Sequence, residues 1–215
     1  MCLCVFIFVQ GCAPSRYVKP LARNSQAASF TFGGPVIVYG GAAIPIPFTT
    51  AGYARGITNR LTGFVNLHST SLMFANLQTD IGCTYGILGE EKKFGLSVSP
   101  AIQQAFNLRH GTGFRIWPTI DLNAYQVITR NGSYLYAGMN NWFEFSKTRA
   151  HGEPQPRHVI PNVHIGFTST RTKWHNQFEI KYLGPGIPIY PGIIDYKGIN
   201  SKGSIGLYYS ITRLF

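Results

Sequence analysis

The chain has 215 residues and a formal net charge of +11, although only 13% of its residues are charged. This length fits one domain, and a mean hydropathy of +0.02 excludes a bundle of membrane-spanning helices. The charge reflects scarce acidic residues, because 19 Lys and Arg stand against 8 Asp and Glu, with no basic run longer than two. We therefore expect no nucleic-acid partner. Acidic lipid headgroups, including those of lipopolysaccharide, fit the charge better.

The composition favours a transmembrane β-barrel. Aromatic residues make up 14% of the chain and Gly occurs 24 times, while charged residues fall well below the roughly 25% of an ordinary globular domain. In a barrel only alternate residues face lipid, so hydropathy averages to near zero although the protein spans a membrane.

The N-terminal sequence predicts a lipoprotein leader. Residues 1–9 form an apolar run that is too short to span a bilayer, which needs about 20 residues, and is typical of a signal peptide. Val9, Gly11 and Cys12 follow in an arrangement similar to a lipobox, in which cleavage precedes an acylated cysteine. We predict a lipoprotein signal peptide over residues 1–11; a plain secretory leader is the alternative.

In this interpretation Cys12 carries a diacylglycerol and a further acyl chain, and several chains together give stable anchoring. Residues 12–28 then form a lipid-anchored periplasmic tether, and residues 29–215 form the barrel. Cys83 has no disulfide partner in the mature chain. The cysteine spacing indicates no metal site, and we expect no cofactor beyond the covalent lipid.

From residue 29 onward, apolar and polar residues alternate with a period of two, which is typical of strands separated by Gly, Pro and Asn turns. Short connections alternate with longer ones, as in outer-membrane barrels with short periplasmic turns and long outer loops. This predicts periplasmic N- and C-termini. The link near residues 69–71 would be very tight, so eight or twelve strands are the alternatives. The ten predicted strands of this antiparallel up-and-down barrel lie near residues 29–40, 47–57, 60–70, 72–88, 94–108, 113–127, 133–146, 158–171, 174–184 and 203–215.

The two faces of these strands differ in polarity. One face is apolar, and the other combines charges of both signs with bulky aromatics, which suits a polar lumen closed by its own side chains. A water-soluble sandwich or lipocalin-like barrel would show the same alternation with the apolar face inside. The predicted lumen charge network consists of Asp80, Arg115, Asp121, Glu144, His164, Glu179 and Lys181. Aromatic girdles at the membrane boundary are predicted for Trp142, Trp174, Tyr134 and Tyr136.

The last strand ends in an alternating apolar pattern, which resembles the signal read by the barrel-insertion machinery, so this machinery is an expected partner. Arg213 departs from the pattern, because an aromatic or aliphatic residue is usual there. The predicted signal residues are Leu207, Tyr209, Ile211 and Phe215.

Several segments carry a resemblance. They are GCAPSRYVKPL at 11–21, GGP at 33–35, IPIP at 44–47, QTDIG at 78–82, NWFE at 141–144, TRAHGE at 148–153 and TRLF at 212–215. Together they resemble outer-membrane β-barrel lipoproteins of Bacteroidota whose function is unassigned. The resemblance implies a bacterial outer-membrane location and a barrel fold, and it carries no catalytic residues.

Enzymatic alternatives depend on the histidines. Residues 151–158 contain two His and one Glu in a long loop, in a spacing that matches no metal motif. Lipid-modifying barrels hydrolyse acyl esters with a His and a Ser near the membrane boundary, and His68 with Ser69 or Ser71, or His164 with Ser169, are the candidates. Adjacent strand residues point to opposite faces, so lumen histidines satisfied by neighbours such as Asp80 or Glu179 are favoured.

We therefore predict a non-enzymatic barrel. Its expected role is structural, or that of an accessory subunit in a larger outer-membrane complex. A narrow channel for a small solute and an acyl-ester hydrolase are the alternatives.

Overall fold

The computed structural model describes residues 17–89, 93–109, 113–148, 154–155, 157–189 and 195–215. Within them the chain forms eleven strands and one short helix. In chain order these are β1 (Gln26–Tyr39), β2 (Ala42–Pro45), β3 (Thr49–Gly56), β4 (Leu61–His68), α1 (Ser69–Met73), β5 (Asn76–Leu88), β6 (Phe94–Asn107), β7 (Arg115–Val127), β8 (Tyr134–Phe143), β9 (Val159–Arg171), β10 (Trp174–Pro188) and β11 (Lys202–Leu214).

Ten of these strands close into one antiparallel barrel. From β3 to β11 each strand pairs with the next along the chain, and β3 also pairs with β1. The ring closes where β1 pairs with β11, from Ala27 opposite Leu214 to Pro35 opposite Gly206. The ten-stranded antiparallel barrel predicted from the sequence is confirmed. The extra strand β2 pairs with residues 36–39 outside the ring; it is not among the predicted strands, because four residues carry too little period-two signal.

The barrel has two different ends, which we call the turn end and the loop end. At the turn end, residues 57–60, 128–133 and 172–173 connect neighbouring strands, and the Phe215 amide donates to the carbonyl of Gln26. At the loop end, α1 provides the link between β4 and β5 that was expected to be very tight. Among the described residues, no helix is long and apolar enough to cross a membrane.

The barrel is polar inside and apolar outside. Ile165 on β9 is 59% exposed on the outer surface, whereas Lys181 on the neighbouring strand β10 is only 1% exposed and faces the lumen. A water-soluble barrel has the reverse arrangement, so this polarity is that of a barrel surrounded by lipid. The exposed outer band includes Phe30, Phe32, Val65, Leu77, Ile81, Ile102, Ile116, Ile120, Leu122, Leu135, Met139, Val163, Phe178, Ile180 and Leu207.

Two glycines make room for inward tyrosines. Gly95 lies opposite Tyr125 in the β6–β7 pairing, and Gly166 lies opposite Tyr136 in the β8–β9 pairing. A Cβ atom at either glycine would collide with the ring of the opposite tyrosine. These tyrosine side chains can therefore lie flat over the neighbouring strand inside the lumen.

Candidate functional site

The lumen is the candidate functional site, and inward positions of every barrel strand line it. Polar side chains dominate its buried lining among the described residues. Toward the loop end the lining becomes apolar, where Trp117, Trp142, Ile160 and Ile187 pack together. The two tryptophan rings lie 5.3 Å apart between centroids. A polar middle section therefore lies beneath an aromatic layer.

A buried ion pair occupies the middle section. Lys181 Nζ lies 3.4 Å from Glu179 Oε1 and 5.8 Å from the centroid of the Tyr208 ring. The Tyr136 hydroxyl donates to Glu179 Oε2 at 2.8 Å, and Gln177 Nε2 donates to the Tyr136 oxygen at 2.5 Å. Burying an isolated charge costs free energy. The ion pair and hydrogen bonds of this network offset that cost, so Lys181 and Glu179 can lie buried in the lumen.

Two histidines lie in the same lumen, and each has a side-chain hydrogen-bond partner there. His68 Nε2 lies 2.8 Å from Asp80 Oδ1, and His164 Nε2 lies 2.7 Å from Asn123 Oδ1. Asp80 therefore partners His68, as favoured from the sequence, and Asn123 is a hydrogen-bond partner of His164.

The serines proposed as nucleophiles bond elsewhere. Ser71 Oγ donates to Gln78 Oε1 at 2.7 Å, and Ser69 Oγ donates to Thr49 Oγ1 at 2.9 Å. Ser169 lies five positions after inward-facing His164 on β9, which places it on the opposite face of the strand. The hydrogen bonds of Ser69 and Ser71 thus go to other side chains, Ser169 faces away from His164, and both histidines face the lumen rather than lipid.

The remaining predicted lumen charges divide into two groups. Glu144 accepts hydrogen bonds from Trp117 Nε1 at 2.9 Å and from the Ser146 amide at 2.8 Å, and Asp121 accepts one from Asn140 Nδ2. Arg115 differs from the prediction, because it is exposed at the loop-end start of β7. Alternation correctly gives its inward face, but a residue at the first position of a strand lies at the rim rather than in the lumen.

Three of the four predicted girdle aromatics are also inside the lumen. Trp142 is 2% exposed, and Tyr134 and Tyr136 are similarly buried, so the girdle prediction is wrong for them. Their neighbours Leu135 and Met139 occupy the outer face, and this alternation was the signal that the prediction missed. Trp174 is exposed at the turn end, with the Arg213 guanidinium 5.6 Å from its ring.

The residues of the predicted C-terminal signal share the outer face of β11. Leu207 and Phe215 are exposed, and Tyr209 donates its hydroxyl to Asn176 Oδ1 at 2.7 Å. Ile211 is partly exposed on the same face. Their role in insertion stays a prediction.

Residues 17–22 lie within the turn end of the lumen. The sequence did not predict this position. We call residues 17–22 the plug segment. Its Tyr17 hydroxyl donates to Ser29 Oγ at 3.2 Å, and the Leu21 amide donates to Thr62 Oγ1 at 2.7 Å. Ser97 Oγ donates to the carbonyl of Val18 at 2.6 Å.

Apolar contacts hold the plug segment as well. Tyr17 and Leu21 belong to a buried cluster with Ala27, Ala54, Phe64 and Ala101. Val18 is buried among Tyr125, Tyr134 and Tyr136. The sequence assigns these residues to a tether ending at residue 28, whereas β1 already begins at Gln26. Apolar residues at 17, 18 and 21 were the available signal, but a short stretch of this kind has no periodicity to interpret.

A cleft of about 340 Å³ opens between the plug segment and the turn-end edge of the wall; Lys19, Pro20, Arg60, Gly86 and Tyr125 are among its lining residues. Among the described residues that line it there is no acidic side chain. Within the described ranges, no three His, Cys, Asp or Glu side chains lie close enough to hold a metal ion. Residues 151–153 and 156 of the predicted histidine loop, and Cys12, lie outside the described residues.

The strands form a closed ring with an apolar outer band and a polar lumen. These features define the class of protein, which is a transmembrane β-barrel. The chain is similar to the COG4313 outer membrane channel from Pseudomonas putida F1, with a TM-score of 0.53 and 10% sequence identity, over 94% of this chain and 99% of that one.

Two weaker similarities concern the NanC porin, with a TM-score of 0.48 and 6% identity over 87% of this chain and 98% of that chain, and the outer membrane protein OprG from Pseudomonas aeruginosa, with a TM-score of 0.33 and 10% identity over 92% and 98%. At such identities the likeness shows the fold alone. No protein-family model matches the chain, and no curated protein matches it. The resemblance to Bacteroidota lipoproteins stays a prediction.

Proposed function

We propose that the protein is a bacterial outer-membrane barrel that forms a narrow channel for a small polar solute, with the plug segment closing its turn end. The observation that carries this proposal is the buried polar lining of the lumen, which continues down to the plug segment. A barrel that only needed to be filled could use apolar side chains, which have no desolvation cost.

The plug segment is separable from the wall. Strand pairing alone closes the ring, from β1 to β11, and the plug segment precedes β1 without adding a strand. Eight strands leave an interior that side chains just fill, whereas about sixteen leave an open aqueous channel. Ten strands therefore suit a narrow path that a short segment can close. A channel is also what the COG4313 structure is described as, and we extend that role to this chain as part of the proposal.

The outer-membrane location has support in the charges at the barrel ends. In a lipid bilayer, basic residues near the surface are attracted to anionic headgroups. Lipopolysaccharide at the loop end, where Arg109, Lys147 and Lys197 are exposed, is the proposed lipid partner there. The turn end, which we place in the periplasm with both termini, carries the exposed basic residues Lys19, Arg23, Arg55, Arg60, Lys93, Arg130, Arg171, Lys173 and Arg213. The acidic residues that the structure describes all lie elsewhere, in the lumen or at the loop end.

Two further proposals come from the sequence. Acylation of Cys12 would fasten the chain to the periplasmic leaflet close to the plug segment, and the barrel-assembly machinery would insert the strands. An accessory role in a larger outer-membrane complex is the second candidate function. The observation that favours it is that apolar groups cluster at both ends of the lumen, at Trp117 and Trp142 and at the plug segment.

Conductance in planar lipid bilayers tests the channel. The full mature chain should give rare, small conductance steps, and deletion of residues 17–22 should make the steps at least tenfold more frequent. Both proteins must show the faster gel mobility of a folded barrel before boiling. If both are folded and neither conducts, the channel is refuted and the accessory role remains the better proposal.

A further inference from the structure

The two sides of the turn-end cleft belong to different parts of the barrel. Lys19 and Pro20 of the plug segment line one side, and Asn59 and Tyr125 of the wall line the other. The sides come close together, since a Cβ atom at Gly86 of the wall would lie 3.2 Å from the Pro20 ring. We propose that this cleft binds a small organic anion and that the bound anion holds the plug segment closed. The effect on closure rests on the role of the plug segment in the proposed function.

Lys19 gives the cleft a positively charged side chain. It is exposed, so a ligand that enters from the turn end can reach it, and Arg60 lines the same cleft. A lysine ammonium group carries three hydrogen-bond donors and no acceptor. Its hydrogen bonds to a carboxylate or a phosphate are charge-assisted and therefore stronger than those between neutral groups. The cleft thus favours an anionic ligand over a cationic one.

Tyr125 adds a buried hydroxyl to the same cleft. The residue is 3% exposed, and its hydroxyl has no hydrogen-bond partner among the described residues. The hydroxyl lies beside Gly89, which also lines the cleft, since a Cβ atom at Gly89 would be 2.8 Å from the Tyr125 oxygen. A buried donor without an acceptor is costly. An anionic oxygen in the cleft would accept this hydrogen bond and remove that cost.

The rest of the lining suits an organic ligand rather than an inorganic ion. Asn59 Oδ1 accepts a hydrogen bond from the Arg23 amide at 3.0 Å, so the amide nitrogen of Asn59 remains as a donor. Pro20 and Leu88 provide apolar surface, which an inorganic ion would leave uncovered. The volume of about 340 Å³ lies within the range of small-molecule sites, roughly 300–1,000 Å³.

A ligand in this position is coupled to closure of the barrel. When the plug segment moves away, Lys19 and Pro20 move with it, whereas Asn59 and Tyr125 stay in the wall. A ligand that contacts both sides therefore binds the closed form more tightly than the open form, and it shifts the equilibrium toward closure. When it binds the closed form alone, the open fraction falls by a factor of 1 + [L]/Kd.

The rate of thiol labelling at residue 101 tests the proposal, because Ala101 is buried in the cluster that contains Tyr17. The protein carries Ala101→Cys with Cys83→Ser, and the reagent is a charged maleimide. Glycerol 3-phosphate and succinate represent phosphate and carboxylate anions, and glycerol is the neutral control. At about 20 mM and constant ionic strength, at least one of the anions should slow labelling about fivefold, as a Kd of about 5 mM gives. Glycerol should leave the rate unchanged.

Three substitutions separate the site from general charge effects. Lys19→Met removes the charge and Tyr125→Phe removes only the hydroxyl, and in each variant the protection by the anion should fall below about twofold. Lys173→Met is the matched control, because Lys173 is an exposed lysine at the same end of the barrel that does not line the cleft. It should keep the full protection.

The possible failures are distinguishable. Labelling that neither anion slows overturns the proposal, and so does a loss of protection in Lys173→Met as large as that in Lys19→Met. Labelling does not depend on conductance, so a barrel that an anion protects but that never conducts overturns the channel and leaves the anion site intact. Gel mobility before boiling identifies any variant that has not folded. If Lys19→Met is such a variant, Lys19→Arg replaces it, and retained protection is then expected.

Discussion

Truncation of Tyr17 should open the turn end of the barrel. The Tyr17 ring packs 6.0 Å from the Phe64 ring between centroids, and its hydroxyl bonds to Ser29. Tyr17→Ala removes both contacts. It leaves the strand pairing of the wall unchanged, because residue 17 precedes β1. The substitution should therefore act on closure rather than on the barrel itself.

The free energy of closure is small because its contributions nearly balance. Burial of Tyr17, Val18 and Leu21 contributes roughly 5–9 kcal/mol, and three hydrogen bonds contribute about 1 kcal/mol each. Ordering six residues costs roughly 6–12 kcal/mol. Closure is thus stable by a few kcal/mol at most. Losing the Tyr17 side chain should cost about 2 kcal/mol, which is a roughly 30-fold change in the opening equilibrium.

Thiol labelling measures this opening directly. Ala101 lies in the buried cluster that contains Tyr17, and Ala101→Cys adds a single atom there. With Cys83→Ser in the background, a charged, membrane-impermeant maleimide should label residue 101 at least tenfold faster in Tyr17→Ala than in the parent. Mass spectrometry of the labelled peptide identifies the site. Arg23→Ala is the control, because Arg23 is exposed, and it should change the rate less than twofold.

Equal labelling rates in the parent and in Tyr17→Ala would refute the reasoning, provided that both migrate as folded barrels before boiling. The plug segment would then be held by contacts other than those of Tyr17. Fast labelling in the parent itself would show that the turn end is open without any substitution.

Three other predictions concern the wall and the anchor. Gly166→Ala should destabilise the barrel by roughly 1–3 kcal/mol because its Cβ meets the Tyr136 ring. Gly63→Ala is the control and should not destabilise the barrel, because the nearest atom to its added Cβ is 3.5 Å away. The temperature at which the band of the folded, unboiled protein disappears from the gel measures the difference in stability. Ile165→Arg should lower the free energy of unfolding from vesicles by about 2–4 kcal/mol, against about 0–1 kcal/mol for Val159→Arg at the end of the same strand, and equal losses would place the membrane elsewhere. Cys12→Ser should yield a chain that lacks the acyl chains and keeps its leader, and a mature chain lighter only by the sulfur-to-oxygen difference would exclude acylation at this residue.

The alternation of side chains explains why the barrel could be predicted from the sequence. Period-two patterns on β7 and β10 assign each side chain to a face, and the inward positions of Glu179 and Lys181 follow directly. Alternation gives no depth along the barrel axis, which is why Arg115 was expected in the lumen and lies at the rim. The plug segment could not be predicted, because its place depends on contacts with β4 and β6 that span 41 and 79 residues, besides a nearer one with β1.

The buried pair of Lys181 and Glu179 offers a final way to separate a channel from a filled barrel. A buried ion pair is weak evidence for stability, because desolvation of both ions offsets their attraction. Lys181→Met alone leaves Glu179 charged and should cost about 3–5 kcal/mol. The double variant Lys181→Met with Glu179→Gln keeps an acceptor for the Tyr136 hydroxyl, and its free energy of unfolding should match or exceed that of the parent.

Denaturant unfolding from vesicles measures these stabilities, and bilayer recording measures the conductance of the same variants. If the double variant is stable but its conductance steps change in size, the pair contacts the permeating solute. A double variant as unstable as Lys181→Met alone would show that the pair stabilises the wall. The polar lumen would then be explained by packing, and its buried charges would no longer support a path for a solute.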